Sequence, residues 1–176
     1  RSIVLSNIDN AYSGTRGDDM KKEDWKTYAF WIGLSEIVGL IAGLLIRDSV
    51  QIYGQTIIKP PLSPPAVLFP IVWTILYALM GISAARIRLA PSSNQQQRVG
   101  NLFVAQLIVN FFWPLFFFNL QAFGFALLWL ILLWVLVLLL ILVSYRADPA
   151  AAYLLIPYLV WLTFAVYLNA GVWLLN

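Results

Sequence analysis

Residues 127–143 read LLWLILLWVLVLLLILV, an uncharged run in which apolar side chains do not alternate with polar ones. A strand of a membrane β-barrel would alternate and measure about 10 residues. An α-helix rises 1.5 Å per residue, so this run with its flanks can cross about 30 Å of hydrocarbon. The stretch therefore predicts a transmembrane helix and an all-α fold.

Four more apolar segments of similar length occur in the chain. The chain has 176 residues, of which 61% are hydrophobic and 11% charged, whereas soluble domains carry about 25% charged residues. The two last connections are too short to allow anything but antiparallel neighbours. We predict one integral membrane domain, residues 25–176, with five helices at about 28–46, 65–87, 102–118, 123–145 and 150–175.

Residues 1–24 form a polar N-terminal tail, which is too poor in apolar residues to span a membrane. The run Met20-Lys21-Lys22 resembles a native start, which leaves open whether residues 1–19 are native. Of the eleven lysines and arginines, nine lie in the tail, loop 2 (88–100) and loop 4 or their helix ends, and two lie in loop 1 (47–64). The positive-inside rule then predicts a cytoplasmic N-terminus and loop 1 outside.

The chain contains neither cysteine nor histidine. This excludes thiolate and imidazole metal sites and the nucleophile–base pairs that depend on Cys or His. We expect no metal and no required cofactor. The basic residues are confined to the tail and loops, so nucleic acid is not an expected partner, whereas membrane lipid is.

A proline collar, KPPLSPP at 59–65, precedes the second helix. Ser63 can cap that helix, with Pro64 and Pro65 in its first turn. The collar then has two interpretations, a helix start alone or an ordered lid over a cavity on the outer side. The lid residues would be Lys59, Pro60, Pro64 and Pro65.

Aromatic and amide residues recur at helical spacing in three of the predicted helices. If these faces converge, they form a flat-walled apolar cavity that suits a planar aromatic ligand; ordinary membrane packing is the alternative. We expect the rings of Trp73 and Trp161 to turn toward the cavity. The candidate ligand-binding residues are Trp73, Tyr77, Asn110, Trp113, Phe117, Trp161, Ala165 and Asn169.

Glu36 is the one carboxylate inside a predicted membrane helix. Because such a group is costly in lipid, we expect it to face the bundle, hydrogen-bonded to Gln106 or Asn110 and neutral for part of the time. A packing role and a proton or ligand role both remain open.

Three motifs in this order resemble the translocator protein family, also called tryptophan-rich sensory proteins or peripheral-type benzodiazepine receptors, and favour a bacterial-type member. The first joins the collar to a Val-Trp-x-x-Leu-Tyr-x-x-Met-Gly helix at 72–81. The second is Gln-Leu-x-x-Asn-x-x-Trp-x-x-x-Phe-Phe at 106–118, and the third is Pro-Tyr-Leu-x-Trp-x-x-Phe-Ala-x-x-Leu-Asn at 157–169.

The resemblance implies a five-helix bundle, a homodimer, residence in a bacterial cytoplasmic membrane, and a cavity under loop 1 that binds porphyrins, haem and benzodiazepine-type ligands. Two positions depart from the family pattern. Leu62 stands where the collar often has Trp, and Tyr53 lies one residue further from Lys59 than the family's loop tyrosine. The weak cholesterol pattern, a Tyr followed by Lys or Arg, is missing after Leu168, which argues against a cholesterol role.

Three functions follow from these observations. The first is a receptor or sensor that binds porphyrin or haem and regulates a tetrapyrrole or stress response. The second is an enzyme for light-dependent porphyrin degradation, with Trp73 and Trp161 as electron partners; otherwise no catalytic residue is expected. The third, a porphyrin transporter, has only Glu36 as coupling machinery, and vesicle flux would test it.

Overall fold

The computed structural model describes the backbone of residues 2–90 and 94–176 and the side chains of residues 24–90 and 96–176. The described residues form helices and no strand, which confirms the all-α prediction. The helices are α1 (Ser2–Leu45), α2 (Arg47–Thr56), α3 (Leu68–Leu89), α4 (Asn94–Pro114) with a π-helical turn (Leu115–Asn119), α5 (Phe123–Ala147), α6 (Pro149–Tyr153) and α7 (Ile156–Leu175).

Five stretches of the described chain are long and apolar enough to cross a membrane, as the sequence predicts. α1 packs against α3, α4 against α5, and α5 against both α6 and α7. Apolar residues at helical spacing on α5, namely Leu130, Leu133 and Val137, are fully buried in the centre. The spans are Asp24–Leu45, Leu68–Leu89, Gln96–Asn119, Phe123–Ala147 and Pro149–Leu175.

The helix bounds differ from the predicted ones at the polar ends. α1 continues through the polar tail to Ser2, and loop 1 contains the short helix α2. α3 begins at Leu68 without a side-chain cap, so the predicted capping role of Ser63 is wrong. Its hydroxyl donates to the Pro60 carbonyl oxygen at 2.8 Å instead. The cause is that a residue before proline avoids the helical region, which delays the helix beyond Pro65.

Prolines also account for two interruptions inside the spans. Pro114 has no N–H for the preceding turn, and the chain continues as a π-helical turn in which the Leu120 N–H donates to the Leu115 carbonyl at 3.0 Å. Pro157 lies just after the break between α6 and α7. The first interruption is followed by stacking of Phe117 on Trp113, with centroids 5.3 Å apart and 27° between the ring planes.

An ion pair joins α3 to the break between α5 and α6. The Arg86 Nε donates to Asp148 Oδ2 at 2.8 Å, and Asp148 caps α6 by accepting from the Ala150 N–H at 2.9 Å. One turn earlier on α3, the Ser83 hydroxyl donates to the Ala151 carbonyl at 2.8 Å. These contacts hold the α5–α6 connection to the end of α3 that is remote from loop 1.

We predict that Asp148→Asn lowers stability by less than about 1 kcal/mol, because Arg86 is partly solvated, and that Asp148→Ala costs about 1 kcal/mol more by losing the cap.

Burial raises the pKa of the Asp148 carboxyl, but the bonds from Arg86 and Ala150 outweigh it and the net pKa is lowered. Its stabilisation is therefore complete above about pH 4 and is lost as the pH falls through the depressed pKa. Thermal unfolding in detergent at pH 7 and pH 3 measures both effects. Equal losses for the two variants would contradict the capping role.

Candidate functional site

Four buried polar residues form a hydrogen-bonded chain between three membrane-spanning helices. The Tyr77 hydroxyl donates to Asn110 Oδ1 at 2.6 Å. Asn110 Nδ2 donates to the Tyr158 hydroxyl oxygen at 2.6 Å, and that hydroxyl donates to Gln106 Oε1 at 3.2 Å. The chain ties α3, α4 and α7 together, and Asn110 uses both its oxygen and its nitrogen within the protein.

A second polar link lies nearer loop 1. The Trp113 indole N–H donates to Asn169 Oδ1 at 3.2 Å, and Asn169 Nδ2 donates to the Phe123 carbonyl at 2.8 Å. Both side chains are buried, as is Phe117, which stacks on Trp113. The predicted faces of α4 and α7 therefore meet at the end of the bundle where α5 begins.

The structure places Trp73 and Trp161 differently with respect to this chain. Trp73 is half-buried and contacts the rings of Tyr77 and Tyr158, with centroids 5.6 and 6.1 Å away. Trp161 contacts Phe69 at 5.8 Å near the start of α3. Within the described part of the chain the two tryptophans share no ring contact, and neither indole N–H has a hydrogen-bond partner. Trp73 therefore packs on the hydrogen-bonded chain of Tyr77, Asn110 and Tyr158, whereas Trp161 lies to one side of it.

Tyr158 is not among the predicted site residues, and Gln106 is predicted only as a partner for Glu36. Both side chains are fully buried. The signal lay in the spacing of α7, where alternating steps of four and three residues mark one helix face. That buried face carries Tyr158, Leu162, Ala165, Asn169 and Val172. The predicted residues Ala165 and Asn169 lie on this face, whereas the predicted Trp161 lies at its edge.

The predicted bonds from Glu36 to Gln106 or Asn110 are wrong, because Tyr158, Tyr77 and Met80 occupy those amides. Glu36 is half-buried and makes no hydrogen bond to a described residue. One turn on, Gly39 lies so close to Tyr77 that a Cβ there would overlap the ring. α1 and α3 therefore pack closely one turn from Glu36, and the amides of α4 are already occupied.

Loop 1 is docked on α7 by three contacts. Pro60 is buried against Gly171, where an added Cβ would lie 2.5 Å from the Pro60 Cβ. The Tyr167 hydroxyl donates to the Pro61 carbonyl at 2.9 Å. The amide of Asn176 accepts from the Ile58 N–H at 3.1 Å and donates to the Ile58 carbonyl at 3.0 Å. Loop 1 is therefore held against the C-terminal half of α7.

The start of loop 1 rests on α4. The ring of Tyr53 contacts Phe117 and Phe118 with centroids 5.4 and 5.1 Å away, and burial raises the pKa of its phenol. Lys59 lies over that ring, and its Nζ donates to the Gly54 carbonyl at 3.0 Å. Of the remaining predicted lid residues, Pro64 is half-buried and Pro65 exposed.

The cluster beneath loop 1 consists of neutral amides, phenols, indoles and a phenyl ring. Its members are Trp73, Tyr77, Asn110, Trp113, Phe117, Tyr158 and Asn169. Such rings can stack on a flat molecule, whereas the amides and phenols already hydrogen-bond to one another. They supply neither a strong nucleophile nor a carboxylate. The described residues at this end of the bundle therefore suit packing and stacking contacts rather than nucleophilic or acid–base chemistry.

Comparison with known proteins agrees with this architecture. The chain is 37% identical over 151 residues to the tryptophan-rich protein TspO of Chlorobaculum tepidum, covering 85% of this chain and 96% of that protein. It is 35% identical to the translocator protein of Bos taurus over 80% of this chain and 84% of the other. Protein CrtK of Rhodobacter capsulatus is 39% identical over 67% of this chain and 74% of its own length. The TspO/MBR family model matches residues 31–174, so the five-helix chain is an integral membrane protein that belongs to the TspO/MBR family.

Proposed function

We propose that this protein is a membrane receptor that binds a tetrapyrrole, porphyrin or haem, in the aromatic cluster beneath loop 1 and regulates a tetrapyrrole or stress response. The observation that carries the proposal is the saturated Tyr77–Asn110–Tyr158 chain. The polar atoms of this buried chain already bond to one another, so a ligand would meet the ring faces of the half-buried Trp73 and Trp161 rather than unpaired polar groups. A large, flat, aromatic ligand matches such a surface.

The ligand's macrocycle, rather than any metal it carries, should provide the binding energy. Imidazole and thiolate are the usual strong axial ligands of haem iron, and the chain has no histidine or cysteine. Metal-free protoporphyrin should therefore bind at least as tightly as haem. The order of those two affinities separates stacking from metal ligation.

A titration with protoporphyrin IX, followed by porphyrin fluorescence, tests the proposal. Trp73→Phe and Trp161→Phe should each weaken binding several-fold, since an aromatic pair is worth about 0.5–1.5 kcal/mol beyond buried area and 1.4 kcal/mol is tenfold. Trp25→Phe, at a 61% exposed position, is the control and should bind as the parent does. Parental affinity in the Trp73→Phe, Trp161→Phe double variant would contradict binding at this cluster.

Light-dependent degradation of the bound porphyrin by dioxygen is the second candidate. It is favoured by the contact of Trp73 with two tyrosine rings, which groups three oxidisable side chains. Illumination at saturating porphyrin, followed by product analysis, separates it from simple binding. Product formation should collapse in Trp73→Phe if this residue donates electrons, whereas conversion at the parental rate would leave binding as the function.

The orientation and assembly belong to the same proposal. The distribution of lysine and arginine supports a cytoplasmic N-terminus, with loop 1 and its cluster on the outer side of the cytoplasmic membrane. The family resemblance supports a homodimer, for which the apolar outer face of α1, with exposed Ile37, Leu40 and Leu44, provides surface. Protease accessibility of loop 1 in sealed vesicles and mass measurement in nanodiscs test these two statements.

A further inference from the structure

The tip of loop 1, residues 60–62, lies beside α7 rather than beyond its C-terminal end. Its contacts on α7 are Gly171 and Tyr167, which precede the last residue of the helix, Leu175, by about 6 and 12 Å at 1.5 Å per residue. The tip thus reaches one to two turns below the end of α7.

The same level can be fixed from α5. Asn169, between the two docking residues on α7, donates to the carbonyl of Phe123, the first residue of α5. α5 has 25 residues and therefore extends about 37 Å, which exceeds the roughly 30 Å hydrocarbon core by only a few ångströms at each end. The tip of loop 1 consequently lies at the edge of the hydrocarbon.

The side chains of the tip suit lipid at that depth. Leu62 is 80% exposed, more than any other large hydrophobic residue of the described chain, and Val67 is 67% exposed. No charged residue occurs between Lys59 and Arg86, and Lys59 is turned back to the Gly54 carbonyl of α2. The uncharged stretch begins well before α3, at the collar.

We propose that residues 60–67, centred on Leu62, are seated in the lipid leaflet on the loop 1 side of the membrane. Leu62 contacts acyl chains near their headgroup ends, and Val67 leads from the collar into the lipid-facing side of α3. Residues 60–67 are thus held between α7 and lipid. The inference is independent of the ligand that the cluster binds.

Site-directed spin labelling tests this directly, because a chain without cysteine accepts a single nitroxide at any chosen position. The full chain carrying Leu62→Cys is labelled, placed in phosphatidylcholine nanodiscs and measured by power saturation with oxygen and with a water-soluble nickel chelate. Leu128→Cys, at a 68% exposed site within α5, is the lipid control. Gln97→Cys, at an exposed site near the start of α4, is the aqueous control.

The label at residue 62 should relax preferentially with oxygen, with an oxygen-to-nickel ratio several-fold above that of residue 97 and on the side of residue 128. Val67→Cys should behave in the same way and shows that the result does not arise from one label. A ratio at residue 62 equal to that at residue 97 overturns the proposal, whatever residue 67 reports.

Discussion

Asn110→Leu is expected to lower the stability of the bundle by about 2 kcal/mol and to weaken porphyrin binding with it. Leucine has a similar size, but it leaves the Tyr77 hydroxyl without its acceptor and the Tyr158 hydroxyl without its donor. Interhelical hydrogen bonds in membranes average about 0.6 kcal/mol, whereas a buried polar group left unpaired costs about 1–3 kcal/mol. The second effect decides the magnitude, and unfolding in a denaturing detergent titration measures it.

Two further variants make this expectation specific. Asn101→Leu lies on the same helix, where Asn101 is exposed and only accepts from Gln97, and it should be close to neutral. Adding Tyr77→Phe to Asn110→Leu removes the hydroxyl that is left unpaired, since Tyr158 still donates to Gln106, and should recover part of the lost stability. Equal losses for Asn110→Leu and Asn101→Leu would show that the chain of bonds does not stabilise the bundle.

Gly171→Ala is expected to lower porphyrin affinity at least tenfold, or about 1.4 kcal/mol, with a much smaller effect on unfolding. Its methyl group would lie 2.5 Å from the Pro60 Cβ and 2.7 Å from the Cγ, and a proline ring cannot rotate away. Loop 1 must then lift from α7, which also strains the bond from Tyr167 to the Pro61 carbonyl.

The matched control is Gly54→Ala on α2, where an added Cβ meets nothing within 4 Å. It should retain the parental affinity. The same fluorescence titration measures both variants. A Gly171→Ala protein that binds porphyrin as the parent does would mean that loop 1 does not contribute to the site.

The faces of α3 and α4 could be predicted from sequence because helical spacing alone assigns them. Tyr77 and Asn110 lie on those faces and meet, as the aromatic and amide pattern indicated. Spacing does not distinguish the middle of a helix face from its edge. The prediction for α7 therefore includes Trp161, which lies at the edge, and omits Tyr158, which lies in the middle of the buried face. Relative rotation of helices depends on packing between them, and no single helix carries that information.

Other features depended on contacts that local sequence does not encode. Glu36 makes no bond to Gln106 or Asn110, because residues of other helices, Tyr77, Tyr158 and Met80, already occupy those amides. The prolines of loop 1 led to its prediction as a loop without a helix, whereas α2 forms before them and contacts the π-helical turn through the ring of Tyr53. That turn itself follows from Pro114, whose effect on the helix could be anticipated but whose outcome, a parallel Trp113 and Phe117, could not.

The central claim, that a porphyrin binds at the loop 1 end of the bundle, is tested most directly by distance measurement. Copper protoporphyrin is paramagnetic, so its separation from a nitroxide at Gln55→Cys or at Gln97→Cys can be measured by pulsed electron spin resonance. Residue 97 precedes Trp113 on α4 by about 24 Å at 1.5 Å per residue, whereas residue 55 lies on α2, whose Tyr53 contacts Phe117. We predict that the copper–nitroxide distance from residue 55 is shorter than that from residue 97; the reverse order would contradict binding beneath loop 1.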